Sequence, residues 1–314
     1  MRFPRKFALL IPLLLIMVPL RVLAQDDGVV NLATITDAYT LTASSSSYAI
    51  EVDENTEQTM FLARGEDELT FTSELDLSHE AQVSAGALRG QLEYEVTQSQ
   101  TAGTGEPSEA AVELKFATIV DDQGVVFLNL DATAEEFRPG IPSTWQRIGD
   151  AAALPADTEL PVDQLIDFIN QARFDNTVST WLTEASIIEI EELGEDDIDA
   201  VPVMGYRVTL DFREALAAQD LDLAAVLGND VFSEEGINTL LDSADYSLEV
   251  WISTEDGRVR EHTITLDLSG ALGEGDLIGQ LSDATLNYDY SFEQNIELSG
   301  FDVPYIIGLY PRIG

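Results

Sequence analysis

The chain of 314 residues contains no cysteine. That excludes disulfides, thiolate metal centres and cysteine nucleophiles, and it removes the lipobox cysteine that would tether a bacterial lipoprotein. Basic residues are scarce, with 15 Lys and Arg against 58 Asp and Glu. Four of the 15 (Arg2, Arg5, Lys6 and Arg21) fall in the first 24 residues, where there is no acid. Residues 25–314 therefore carry 11 basic and 58 acidic groups, a net of −47, with Lys115 as their single lysine. A charge of that size keeps a chain soluble and repels phosphate backbones and anionic lipid surfaces, so nucleic-acid binding is excluded. Only two histidines occur, His79 and His262, and no partner that a metal site or a triad would need can be placed beside either. There is no Gly-x-Ser-x-Gly elbow, Walker loop, His-Glu-x-x-His or Gly-x-Gly-x-x-Gly. No Asp-x-Asp-x-Asp-Gly calcium loop is present either. With 58 acids, carboxylate pairs at glycosidase-like spacings arise by accident and carry no weight. The chain is therefore read as a non-enzyme with no catalytic residue, no metal ligand and no cofactor. The acidic runs Asp53-Glu54, Asp121-Asp122-Gln123-Gly124 and Glu195-Asp196-Asp197 are read as turns.

Long apolar runs are also rare. The one that stands out is Phe7–Leu20, interrupted by Pro12 and Pro19, preceded by Arg2, Arg5 and Lys6 and followed by the small-residue site Val22-Leu23-Ala24. This is the pattern of a secretory signal, too short to span a bilayer comfortably. Cleavage after Ala24 is expected, and with it an extracytoplasmic location, secreted or at the cell envelope. Residues 25–314 then show no linker and are expected to form one domain.

What the chain does have is alternation. Tyr246, Leu248, Val250 and Ile252 alternate with Ser247, Glu249, Trp251 and Ser253. After Thr254-Glu255-Asp256-Gly257, His262, Ile264, Leu266 and Leu268 alternate with Glu261, Thr263, Thr265 and Asp267. Two period-two runs about an Asp-Gly turn predict a hairpin. Similar runs begin at Tyr48–Val52 and fill Leu69–Leu77, Leu88–Val96, Ala111–Val120, Val126–Leu130, Ala185–Leu193, Gly205–Phe212 and Ala284–Phe292. Ser99–Ser108 reads as a loose hairpin tip and Glu195–Val203 as an acidic connection. Three-to-four-residue periodicity predicts helices over Asn31–Thr42, Pro161–Phe174, Asp175–Thr183, Arg213–Leu227 and from Ser233 to Leu241. The expected fold class is α+β. Long strands with short connections make a large curved antiparallel sheet, and the one-sided helices cover its concave face.

Four features carry a family resemblance: Trp145 after the irregular stretch Phe137–Pro142; the strand Gly205-Tyr206-Arg207-Val208-Thr209-Leu210 leading into a helix; the hairpin Val250–Val259; and the closing strand Tyr288-Asp289-Tyr290-Ser291-Phe292 that leads to Pro304. In these the chain resembles the LolA/LolB-like lipoprotein-carrier fold and the LppX/LprG-type lipoproteins. The resemblance implies a half-barrel enclosing a cavity for acyl chains, used to carry or present lipids or lipoproteins. The chain departs from it in lacking the lipobox cysteine and in its acidity. The expected ligand is a lipid or another hydrophobic molecule. It would be held between Leu210, Phe212, Val250, Ile252, Ile264 and Leu266 on the strands and Ile166, Ile169 and Leu240 on the helices, in a protein that is a monomer. Trp145, Trp181, Trp251, Tyr206, Tyr288, Tyr290 and Phe292 are further aromatics for such a pocket. The alternative is an envelope or cell-surface interaction protein with no small ligand, docking a protein partner through an acidic face or the apolar tail 301–314.

Overall fold

In the computed structural model, the structure describes residues 30–85, 87–103, 105–120, 126–130, 146–148, 168–169, 173–174, 178–218, 232–273, 276–277 and 281–302. The signal segment 1–24, Asp121–Gly124, Trp145, Ile166 and the tail beyond 302 lie outside them, as does most of the helix expected over Pro161–Phe174.

Among the described residues, eleven strands make one sheet: β1 (Ser47–Arg64), β2 (Asp67–Ser84), β3 (Ala87–Ala102), β4 (Ser108–Val120), β5 (Val126–Leu130), β6 (Gln146–Ile148), β7 (Ile187–Ile198), β8 (Val201–Leu210), β9 (Asp245–Ser253), β10 (Val259–Leu272) and β11 (Thr285–Ser299). Their spatial order is β6-β5-β4-β3-β2-β1-β11-β10-β9-β8-β7, and every neighbouring pair is antiparallel. The chain thus starts its sheet in the middle and works outward to one edge. It then crosses to the other edge and works back until β11 docks beside β1. The sheet is open, a curved half-barrel whose edges are β6 and β7.

The expected hairpin forms as β9 and β10. Val259 pairs with Ile252 and His262 with Val250, and Gly257 takes the left-handed conformation (φ +71°) that closes the turn. Alternation sorts the faces: Tyr246, Leu248, Val250 and Ile252 are buried, whereas Ser247, Glu249 and Trp251 keep accessible surface.

Four expectations are corrected. Asp53-Glu54 is no turn but the middle of β1, whose ladder runs unbroken from Ala49 to Ala63. Glu195–Asp197 is likewise strand, because β7 and β8 stay paired up to Ile198 and Val201. The connection between them shrinks to Asp199-Ala200, both at positive φ (51° and 63°), the geometry that matches a two-residue turn to the twist of its strands. Extended strands also reach further into the Ser99–Ser108 tip than expected, with Ser99 Oγ hydrogen-bonded to Thr72 Oγ1 at 2.7 Å. Finally, the strand ends at Leu210 rather than Phe212. Asp211 accepts from the Glu214 N–H (3.1 Å) and caps helix α3 (Phe212–Ala217), so Phe212 is helical.

The helical layer lies on the inner face. Helix α1 (Val30–Ala43) turns Ile35, Ala38, Tyr39 and Thr42, at helical spacing, toward the sheet. Thr42 Oγ1 accepts from the Val259 N–H at 2.9 Å, pinning the helix to the start of β10. The chain between β6 and β7 crosses the same face. Phe168 lies 6.3 Å from His79 of β2, Phe174 lies 5.8 Å from His262 of β10, and Trp181, in α2 (Val178–Trp181), lies 6.4 Å from Tyr246 of β9. Helix α4 (Glu234–Asp242) is capped by Ser233, whose Oγ accepts from the Gly236 N–H at 3.1 Å. It seats Leu240 so close to Gly270 of β10 that a Cβ there would meet Leu240 Cδ2 at 2.8 Å.

Candidate functional site

Cross-strand register turns the inner face into transverse rows. One row runs Leu92, His79, Val52, Ile296, His262, Val250, Tyr206. The next runs Tyr94, Leu77, Glu54, Gln294, Ile264, Leu248, Val208. A third runs Val112, Val96, Leu75, Thr56, Phe292, Leu266, Tyr246, Leu210. The surface is apolar on both sides and polar along its midline.

Of the expected ligand contacts, Ile166 lies outside the described residues. The other eight (Ile169, Leu210, Phe212, Leu240, Val250, Ile252, Ile264 and Leu266) all belong to one buried cluster with 8% exposure or less. The strand residues among them stand on β8, β9 and β10; Phe212, Leu240 and Ile169 come from the layer above. Phe212 meets Tyr246 edge-on at 5.3 Å. This side of the face is closely packed. On the other side, Met60, Leu62, Val96 and Val112 face the same way but keep accessible surface. Of the aromatics considered for a pocket, Trp181, Tyr206, Tyr288, Tyr290 and Phe292 are inside. Trp251 is not: it lies on the outer face over Gly205, where a Cβ would meet its ring at 2.5 Å, and its Nε1 donates to Glu249 at 3.2 Å.

Both histidines are buried on the inner face, three strands apart. His79 reaches over Gly90 to share a hydrogen bond with Thr118 (Nε2 to Oγ1, 2.9 Å), and any Cβ at position 90 would strike its ring at 2.7 Å. His262 Nδ1 shares one with Tyr39 Oη of α1 at 2.8 Å. Among the described residues, His79 Nδ1 and His262 Nε2 have no partner. Desolvation pulls the two rings down to about 4 and about 3, so both are neutral at ordinary pH. Enclosed and uncharged, His262 ties α1 to the sheet through Tyr39, and His79 ties β2 to β4 beneath Phe168.

Glu54, missed because an acidic pair reads as a turn, is a carboxylate at the centre of this face. Desolvation raises its pKa to about 7, against the hydrogen bond from Gln294 Nε2 (3.1 Å), which lowers it. It retains accessible surface despite this depth. The parity that buries Tyr48, Ile50 and Val52 also turns Glu54, Thr56 and Gln58 inward, and that was the signal available in the sequence. Among the described residues no group of three metal-ligating side chains occurs, and no helix is long and apolar enough to cross a membrane.

No family model and no curated protein sequence matches the chain. Among solved structures it is similar to LprF from Mycobacterium bovis, at 14% identity over 89% of this chain and 97% of that one, with a TM-score of 0.36. It is similar also to the lipoprotein LppX from Mycobacterium tuberculosis, at 12% identity over 87% and 96%, with a TM-score of 0.32. A third is an outer membrane lipoprotein-sorting protein domain from Vibrio parahaemolyticus, at 10% identity over 87% and 93%, with a TM-score of 0.20. At these scores likeness carries no argument about activity.

Proposed function

We propose that this chain is an exported, non-enzymatic carrier that holds a lipid or another hydrophobic molecule between the concave face of its sheet and the layer above it. The observation that carries the reading is the inner face itself. It is largely apolar on either side of a polar midline and is roofed over β8–β11 by α1, α3, α4 and the crossing chain, yet Met60, Leu62, Val96 and Val112 on the same face stay half-buried. A sheet that needed only a core would gain by burying those residues further, since full burial of an apolar side chain is worth roughly 1.5–3 kcal/mol and these have realised only part of it. The packed residues Ile169, Leu210, Phe212, Leu240, Val250, Ile252, Ile264 and Leu266, with Ile166, are proposed as the wall against which the ligand rests. Export is inferred from the signal-like first 24 residues.

The test is native mass spectrometry of the protein purified from its own host, before and after organic extraction. The expected result is added mass that extraction removes and that the extract identifies as lipid. A bare chain mass, together with failure to bind a hydrophobic fluorescent probe, would overturn the reading.

A further inference from the structure

Helix α1 is poor in charge on the side that faces away from the sheet. Its 14 residues carry one charged side chain, Asp37, whereas the nine residues of α4 carry Glu234, Glu235 and Asp242. With Ile35, Ala38, Tyr39 and Thr42 turned to the sheet, the outward side presents Ala33, Asp37, Thr40 and Leu41, and Leu41 is 40% exposed. The hydroxyls along this side are spent on the helix itself. Thr36 Oγ1 donates to the Leu32 carbonyl at 3.1 Å, Thr40 Oγ1 to that of Thr36 at 2.9 Å and Ser44 Oγ to that of Leu41 at 2.6 Å. A helix that is apolar or uncharged all round is ordinarily covered on every side. In a chain with 58 acids, an outward helix face with a single one calls for such a cover.

The last described residues stand beside this face. After β11, Gly300 and Asp302 both take left-handed conformations (φ +59° and +61°), which turn the chain off the line of the strand. Phe301 comes to rest against Tyr48, 6.2 Å between rings, and Tyr48 belongs to the inner face on which α1 lies. The guanidinium carbons of Arg258 and Arg260 sit 5.1 and 4.7 Å from the Phe301 ring centre. The Asp302 N–H donates to the Ser47 carbonyl at 3.0 Å, and its carboxylate accepts from Arg258 at 2.8 Å. Leu41 is at the same place: a Cβ on Gly257, the residue before Arg258, would meet Leu41 Cδ2 at 3.5 Å. Beyond Asp302, residues 303–314 hold five Val, Ile and Leu and two Tyr, no acid, and Arg312 as their one charged side chain, opposite in sign to Asp37. Helix α1 is about 21 Å long at 1.5 Å per residue, and twelve extended residues reach about 40 Å, so the segment is long enough to span it. We infer that residues 303–314 turn back over the outward face of α1 and cover it, laying apolar side chains on Leu41 and Ala33 with Arg312 in reach of Asp37. The inference goes beyond the carrier reading and needs no ligand. It gives the apolar tail to the chain's own first helix rather than to a protein partner.

The lack of cysteine makes a thiol test clean. Leu41→Cys is introduced into the full-length chain and into a chain ending at Asp302, and labelling by a maleimide is timed. Ile188→Cys, at a residue 65% exposed on β7, serves as the reference in both. The expected result is labelling at Leu41→Cys at least tenfold slower in the full-length chain than in the shortened one, independent of protein concentration, with equal rates at Ile188→Cys. Ile306→Asp together with Ile307→Asp, at full length, should speed labelling at Leu41→Cys as the shortening does. This double variant carries the same test if the shortened chain does not fold, which a lost urea transition would show. Equal rates at Leu41→Cys with and without the tail overturn the inference: both fast means a bare face, both slow another cover. Protection that grows with protein concentration assigns the face to a second copy and overturns it as well. So does a double variant that labels as slowly as its parent.

Discussion

The body of the sheet and one end of its first four strands bury the same kind of face to different depths. On β8–β11, Val208, Leu248, Val250 and Ile264 are each 1% exposed or less, pressed by α1, the crossing chain and α4. On β1–β4, the tips that carry Met60, Leu62, Val96 and Val112 remain half-buried. The half-buried residues are confined to one end of β1–β4; elsewhere on those strands Val52, Leu88, Leu92 and Val120 are fully buried. The difference teaches that alternation reports which way a side chain points and says nothing about what arrives to cover it.

The largest effect that tests this contrast comes from cavities. Leu248→Ala, in the packed body of the sheet, should cost about 3–5 kcal/mol in chemical denaturation, and Met60→Ala about 1 kcal/mol. Equal losses would erase the distinction. Next comes pH. His79 and His262 are held neutral, at about 4 and about 3 against an ordinary 6.5, so their contribution is present above 6.5 and is lost as pH falls toward those values. Glu54, raised to about 7 from 4.5, works the other way: its contribution is present below 4.5 and is lost as pH rises through about 7. Between pH 6.5 and 4.5 the unfolded chain takes up two imidazole protons while the folded one takes up one on Glu54. These three groups should therefore lower stability by ~1.4 kcal/mol per unit of falling pH. Glu54→Gln should steepen that slope, measured as urea midpoints across the range; a slope that flattens would show that Glu54 is not the carboxyl titrating there.

Smaller still is the contrast between the faces. Gly90→Ala puts a methyl against the Glu80 carbonyl oxygen and the His79 ring, and should cost about 1–3 kcal/mol by thermal or urea unfolding. Gly205→Ala meets first the ring of Trp251, a side chain on the outer face that keeps accessible surface, rather than a backbone carbonyl. It should cost less and shift the tryptophan emission. The smallest effect belongs to the exposed pair that links α3 to α4. Arg213 lies 2.8 Å from Asp242, and Arg213→Ala should change stability by about 0.5 kcal/mol or less in the same assay.

The fold class was legible because period-two runs are long here and the Asp256-Gly257 turn names its hairpin. Ser233 announced α4 for an equally local reason, since a hydroxyl just ahead of the first turn satisfies an orphan N–H. The place of β11 beside β1 was not legible. Its ladder joins Ala49 to Ser299, and no local pattern says which of many alternating strands will be the neighbour. Glu54 was hidden by composition, because in a chain so rich in acids a carboxylate on an inner row looks like every other. That both histidines are enclosed was not legible either, because it depends on Phe168, Phe174 and Tyr39 being laid across them.

The seam between β1 and β11 also sets an order of assembly. β1 is the first strand to be synthesised and β11 the last, so the free edge of β1 has to wait for more than two hundred residues before its partner exists. Until then β2–β4 can zip onto its other side by local hairpin steps, leaving a long exposed row of amide and carbonyl groups at what will become the centre of the molecule. A strand in that position is the natural place for two unfinished copies to pair with each other. The acidic residues that flank its outward positions, among them Glu51, Asp53 and Glu57, place like charges face to face in any such pairing. In this light the charge of the chain guards its birth as much as its solubility.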